Sequence, residues 1–118
     1  MISVQKTYEL MRNDPDNMEI HLMDFVDDFR YYRDTTTMMN PIAIGYDDRT
    51  EALLAGVVEY LCDEICVDPP EWTNNIPACK DPYFPHGMEN LKAISIVESP
   101  VRFRVRKVFV MDNFLSRA

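Results

Sequence analysis

The stretch DRTEALLAGVVEYLCDEI, residues 48–65, decides the fold of this 118-residue chain. Its apolar side chains recur every three or four residues, the spacing that places them on one broad face of a helix. Asp48 can cap the first turn, and Glu51, three residues later, can reach back to that cap. The pattern predicts a central core helix whose apolar face comprises Leu53, Leu54, Val57, Val58, Leu61 and Ile65.

Two amphipathic segments precede this helix. Val4, Tyr8 and Met11 lie at i, i+4 and i+7, which predicts a short helix over residues 3–12 that ends at Asn-Asp-Pro. A second helix is expected from about residue 16 to residues 34–37, with a loop over residues 35–46 after it. The apolar stripe of this second helix comprises Met18, Leu22, Phe25, Val26, Phe29 and Tyr32.

The segment after the central helix is rich in proline. Residues 69–85 contain five of the eight prolines, so they cannot hold a regular helix or a central strand. The segment still carries enough apolar area to form an ordered wrap against the core. This area comes from Trp72, Ile76, Tyr83 and Phe84.

The C-terminal part of the chain gives mixed signals. A fourth helix is expected over residues 88–98. Over residues 100–107, Pro100 at a first helical position favours a helical turn, whereas alternating apolar and Arg residues favour a strand. We favour the turn, followed by a strand at residues 108–110 and a final turn over residues 113–118 that Asp112 can cap.

These elements predict a mainly α fold, with α+β as the alternative. We expect a small single-domain helical bundle over residues 1–118, with the proline-rich wrap and a short C-terminal β element. No apolar run approaches the roughly 20 residues that span a bilayer, and the N-terminal MISVQKTYELMRND lacks the apolar stretch of a secretion signal. Three cysteines, an odd number, fit the reducing cytoplasm that we expect.

The charged residues are unevenly distributed along the chain, with an acidic excess in its first 91 residues and a basic excess in the rest. Residues 1–91 hold 6 Lys or Arg and 18 Asp or Glu, a net of −12, whereas residues 92–118 hold 6 and 2, a net of +4. The total of −8 argues against direct binding to nucleic acid or to an anionic membrane, both of which need exposed cations. We therefore expect a protein partner with a basic surface.

Two charged clusters are candidates for binding such a partner. One is acidic and lies on the second predicted helix, where it comprises Asp24, Asp27 and Asp28. The other is basic and lies near the C-terminus, where it comprises Arg102, Arg104, Arg106 and Lys107. The alternatives are a solvated helix flank for the first cluster and pairing with the chain's own carboxylates for the second.

Metal binding and catalysis have weaker support. A zinc site can be drawn from Cys62, Cys66, Cys79 and His86, but the two closely spaced ligand pairs of structural zinc sites are missing, and buried free thiols are the favoured interpretation. His21 with Asp24 and Asp28 could form an acid/base or metal site, yet no phosphate-binding loop accompanies them. No nucleophile elbow is present, so we expect no enzyme activity and no cofactor.

Several sequence blocks resemble a widespread family of small bacterial proteins. The order of the blocks is DFVDDFR (24–30), LLAGVVEYL (53–61), PEWT (70–73), DPYFP (81–85), GMENLKAISIVESP (87–100), FRVRKVFV (103–110) and NFLSRA (113–118). Members of that family, some fused to a helix-turn-helix repressor domain, are found beside a predicted nucleotidyltransferase in pairs that look like toxin-antitoxin modules. The resemblance implies an antitoxin-like role, bound to the nucleotidyltransferase.

This chain departs from the family in two respects. We expect no helix-turn-helix domain within these 118 residues, so the DNA-binding role of the fused forms does not carry over. Its acidic bias suggests another target as well. The alternative is therefore an acidic inhibitor of a nucleic-acid-handling effector, such as an anti-CRISPR protein from a mobile element that acts on a Cas nuclease. An enzyme of unknown class is the third possibility.

Overall fold

A computed structural model describes residues 1–85, 95–96, 98–111 and 114–115 of the chain. The described residues form a mainly helical fold without a regular sheet, as the sequence predicts. Its α-helices are α1 (Val4–Asn13), α2 (Met18–Tyr32), α3 (Asp48–Glu64) and the single turn α4 (Val101–Arg104), and its 3-10 helices are Pro15–Asn17, Thr35–Met38 and Glu71–Asn75. None of the helices in the described part of the chain is long and apolar enough to cross a membrane.

Helix α3 is the central helix, as its periodicity predicts. Every residue from position 50 to position 59 is buried, because α1, α4 and the 3-10 helix Glu71–Asn75 all pack against α3. The predicted cap is wrong by one residue: Asp47 lies at the N-cap, and its carboxylate accepts hydrogen bonds from the amide of Thr50 at 3.2 Å and from its hydroxyl at 2.7 Å. Asp48 is instead the first helical residue.

The carboxylate of Glu51 organises the entry to α3. It accepts hydrogen bonds from the backbone amides of Gly45, Tyr46 and Asp47 at 2.8–3.0 Å, and from the Tyr8 hydroxyl at 2.6 Å. Burial raises the pKa of Glu51, but these donors together outweigh it and hold the pKa below its usual value. One carboxylate thus joins α1, the loop before α3 and α3 itself.

The two N-terminal helices follow the predicted pattern. In α1, Val4, Tyr8 and Met11 are buried, and the Ser3 side chain caps the first turn. The stripe of α2 is likewise buried from Leu22 to Phe29, but Tyr32 is 54% exposed, so its inclusion in the stripe is wrong. The helix ends there because Arg33 takes a left-handed conformation at φ 52°.

The proline-rich segment wraps around the core and meets the C-terminal segment. The indole of Trp72 is buried and donates to the carbonyl of Met38 at 2.8 Å. Further along, Tyr83 and Val108 form an isolated parallel bridge, the only β pairing among the described residues. The strand predicted at residues 108–110 is therefore reduced to one bridging residue, while the predicted helical turn is confirmed as α4.

Two other predictions fall mostly outside the described residues. Of the helix predicted over residues 88–98, the structure describes Ser95, Ile96 and Glu98, which are helical. Of the final turn predicted over residues 113–118, it describes residues 114 and 115, which form a turn. The proposed cap, Asp112, is not among the described residues.

A buried ion pair connects α3 to the C-terminal segment. The Arg106 guanidinium binds both carboxylate oxygens of Glu59, and its Nη2 also donates to the carbonyl of Thr73 at 2.6 Å. The two side chains are 9% and 5% exposed, so solvent screens the pair little. The pairing accounts for the burial of two charged residues that the sequence alone would place on the surface.

We predict that Arg106→Met destabilises the protein by about 3–5 kcal/mol, because it leaves the Glu59 carboxylate buried without a partner. The double variant Glu59→Leu/Arg106→Met should be considerably more stable than the sum of the two single effects implies. Urea unfolding of all four proteins tests this. Additive effects would show that the two charges do not depend on each other.

The lowered pKa of Glu51 predicts a pH-dependent contribution to stability. Its carboxylate stabilises the fold fully above the pKa of an unfolded glutamate, about 4.3, and this contribution is lost as the pH falls through the lower folded pKa. Glu51→Gln should therefore cost about 1–3 kcal/mol near neutral pH and progressively less in acid. Unfolding free energies measured from pH 7 to pH 3 check this, and a difference that is constant with pH would contradict it.

Candidate protein-binding surface

The outward face of α2 carries a stripe of exposed and half-buried side chains that combine apolar groups with carboxylates. Ile20, Asp24, Asp27 and Tyr31 lie at i, i+4, i+7 and i+11, which places them on one side of the helix over about 17 Å. Ile20 is 58% exposed and Tyr31 is 81% exposed, so large apolar groups lie at both ends of the stripe. We call these four residues the α2 stripe.

The three predicted acidic residues do not act as one cluster. Asp24 is exposed, and its carboxylate makes no hydrogen bond or ion pair within the described part of the chain. Asp27 is half-buried and has a partner. Asp28 points away from the stripe and accepts a hydrogen bond from the backbone amide of Ile2 at 2.8 Å, so it anchors the N-terminal segment. Asp24 and Asp27 remain candidates for binding a partner.

The basic run is largely used within the molecule. Arg106 is buried against Glu59, so the prediction that it belongs to an exposed cationic patch is wrong. Arg102 binds both oxygens of Asp63 at 2.9 Å, and Arg104, although exposed, donates to the Ser99 carbonyl at 2.7 Å. Lys107 is exposed on a left-handed turn at φ 58°. Pairing with the chain's own carboxylates, the alternative interpretation, is observed for Arg102 and Arg106.

The cysteines are free thiols in different surroundings. Cys62 and Cys79 are buried, whereas Cys66 is exposed. Burial, together with the nearby Asp63 carboxylate, raises the pKa of Cys62 to about 11, and burial also raises the pKa of Cys79. His86, the remaining member of the drawn zinc site, lies outside the described residues. Within those residues, no group of three or more His, Cys, Asp or Glu side chains is placed to hold a metal ion.

His21 pairs with a residue that the sequence analysis did not consider. Its Nε2 lies 2.9 Å from a carboxylate oxygen of Asp14, and the interaction lowers the pKa of that carboxyl. This contact holds the start of α2 against the 3-10 helix Pro15–Asn17. The imidazole of His21 therefore pairs with Asp14, and not with Asp24 or Asp28 as the drawn acid/base or metal site would require.

The α2 stripe contains two residues that the sequence analysis missed. These are the apolar Ile20 and the aromatic Tyr31. A search for clusters of charged residues finds only the aspartates that lie between them. The helical periodicity itself was a usable signal, since both residues lie opposite the buried positions Leu22, Phe25 and Phe29. A single exposed apolar residue is common on protein surfaces, but two on the helix face that also carries the aspartates make that face a candidate contact site.

We predict that the aspartates of α2 differ in their effect on stability. Asp24→Ala should change the free energy of unfolding by less than about 0.5 kcal/mol. Asp28→Ala should be about 1 kcal/mol less stable than Asp24→Ala, because both remove a helical aspartate but only Asp28 holds the Ile2 amide. Chemical denaturation measures both, and faster hydrogen exchange at Ile2 should accompany the second. Equal stabilities would contradict this division.

Comparison with known proteins gives no relative from which residue roles could be transferred. No family model matches the chain, and no curated protein or solved structure is similar enough to count as a match. The candidate surface is therefore defined by its geometry and chemistry.

Proposed function

We propose that this chain is a non-enzymatic protein-binding module, an antitoxin-like partner that inhibits a nucleotidyltransferase-type toxin. The observation that supports the proposal best is the α2 stripe, in which the exposed carboxylate of Asp24 and the half-buried carboxylate of Asp27 lie between Ile20 and Tyr31. Protein interfaces combine apolar or aromatic groups with charges that complement the partner. The stripe offers both on one rigid helix.

The charge of the stripe and of the whole chain favours a basic protein surface as the partner. Asp24 has no cation beside it within the described residues, so its charge is available to attract one from outside. Nucleic acid is disfavoured, because phosphate binding requires exposed Lys and Arg side chains and this chain has a net charge of −8. Nucleotidyltransferases handle polyanionic substrates, so a basic groove is expected on such an enzyme.

A nucleotidyltransferase is proposed as the partner because of the resemblance of the sequence blocks. The binding surface is proposed because of the α2 stripe. The alternative is inhibition of another nucleic-acid-handling effector, such as a Cas nuclease in the manner of an anti-CRISPR protein. It uses the same surface, since spaced carboxylates on a helix can occupy a groove that normally holds phosphates. The two functions differ in which protein the chain binds, a nucleotidyltransferase or another nucleic-acid-handling effector.

We predict that the purified chain binds and inhibits a nucleotidyltransferase encoded beside its gene. Asp24→Asn should weaken binding roughly two- to fivefold at low salt and flatten the dependence of affinity on salt concentration, because one charge pair is lost. Tyr31→Ala should weaken binding about fivefold or more, as expected for an exposed aromatic at the contact. Titration calorimetry at several salt concentrations measures both effects.

Asp68→Asn provides the matched control. Asp68 is exposed on the segment after α3, so the substitution changes the net charge by the same amount away from the stripe. Its affinity should equal that of the unmodified chain. Binding to a Cas nuclease complex instead would favour the alternative function. Binding to neither at micromolar concentration, or equal effects of Asp24→Asn and Asp68→Asn, would overturn the proposal for this surface.

A further inference from the structure

A second surface feature, remote in sequence from the α2 stripe, is a groove between α1 and the loop before α3. The groove has a volume of about 530 Å3 and is lined by Gln5, Tyr8, Glu9, Arg12, Ala43 and Tyr46. This volume is within the range of sites that hold a small ligand or one or two side chains of a partner. Its chemistry is set by a cation held against two aromatic rings.

Arg12 is that cation. Its guanidinium carbon lies 4.5 Å from the ring centroid of Tyr46 and 5.3 Å from that of Tyr8, and it lies over both rings. Both distances are within the range of cation–π interactions. Arg12 is exposed, and it makes no ion pair or hydrogen bond with any residue in the described part of the chain. Its hydrogen-bond donors are therefore available to a ligand.

A single buried group holds the ring of Tyr8 and the backbone of Tyr46 in place. The Glu51 carboxylate accepts the Tyr8 hydroxyl at 2.6 Å and the backbone amide of Tyr46 at 3.0 Å. Tyr8 is 2% exposed, so its ring is a fixed wall, whereas Tyr46 is 68% exposed and leaves much of its ring open. Arg12 is thus positioned before any ligand arrives, which reduces the entropy lost on binding.

The charges around the groove select the kind of anion. A guanidinium binds a carboxylate through two parallel hydrogen bonds. Glu9 also lines the groove, and its carboxylate lies 4.0 Å from the Lys6 ammonium group. Arg12, the one cation among the described residues that line the groove, can balance a single negative charge of a ligand. A phosphate carries nearly two negative charges and would be repelled by Glu9. A carboxylate is the better match.

We infer that this groove binds a glutamate or aspartate side chain of a partner protein, with a neighbouring apolar or aromatic residue of the partner against the exposed ring of Tyr46. Arg12 supplies the two hydrogen bonds, and Tyr8 and Tyr46 are positioning residues for it. The inference does not rest on the proposed function, because it concerns different residues and a different sign of charge. It can be tested on the isolated chain.

The test is an NMR titration of the full chain with two blocked dipeptides, acetyl-Phe-Glu-amide and acetyl-Phe-Gln-amide. The glutamate peptide should shift the side-chain Nε–H resonance of Arg12 and the ring resonances of Tyr46 saturably, with a dissociation constant of roughly millimolar size. The glutamine peptide, which has nearly the same shape without the charge, should bind at least about tenfold more weakly. Equal responses to the two peptides would overturn the inference.

Variants of the chain distinguish a specific role of Arg12 in binding from a general effect of net charge. Arg12→Gln should abolish the saturable response, and Arg12→Lys, which keeps the net charge, should weaken it about tenfold because the two-pronged geometry is lost. Arg49→Gln is the matched control, since Arg49 is an exposed cation over the ring of Tyr83 at 5.5 Å, and it should leave binding unchanged. Equal loss in Arg49→Gln, or tighter binding of inorganic phosphate than of the glutamate peptide, would contradict the assignment.

Discussion

The ion pair between Arg106 and Glu59 holds together three segments that are distant in the sequence. It joins the C-terminal segment to α3, and through the carbonyl of Thr73 it also fixes the 3-10 helix Glu71–Asn75. Leaving either charge buried without the other would be costly, so the pair favours the arrangement that brings the three segments together. The wrap then follows, because the carbonyl of Arg106 accepts the amide of Cys79 at 3.0 Å.

Three of the sequence blocks quoted above meet at the same ion pair. Glu59 belongs to the block LLAGVVEYL, Thr73 to PEWT and Arg106 to FRVRKVFV, and the three blocks meet at this buried contact. Gly56 of the first block adds a steric reason, since a Cβ there would lie 2.7 Å from the ring of Phe103. These blocks therefore specify packing. The α2 stripe and Arg12 are exposed, so each can change with the partner while the fold is kept.

Helical periodicity predicted α1, α2 and α3 because each buries one face, or nearly all faces, against a common core. Periodicity alone did not decide residues 101–106, where alternating Val, Phe and Arg match a strand; Pro100 favoured the helical turn that is observed as α4, with Phe103 and Arg106 buried. Local rules also could not predict the contact of Glu51 with the Tyr8 hydroxyl, 43 residues away, or that of Arg106 with Glu59, 47 residues away. The aspartates of the candidate site could be predicted from the cluster of charges in the sequence. Ile20 and Tyr31 could be included only once it was known which face of α2 is not packed against the core.

The division of charge along the chain has a different meaning in three dimensions. The C-terminal block, with a net of +4, does not form a basic surface of that size, because Arg106 neutralises the buried Glu59 and Arg102 binds Asp63. Two of the cations of this block are thus matched to carboxylates of the acidic body, so they do not contribute to an exposed basic surface. Arg12 differs from these two arginines, since its charge faces a groove without an ion-pair partner in the described part of the chain. A partner that touches both surfaces would need a basic patch for α2 and one carboxylate for Arg12, and this pairing of opposite charges would fix its orientation.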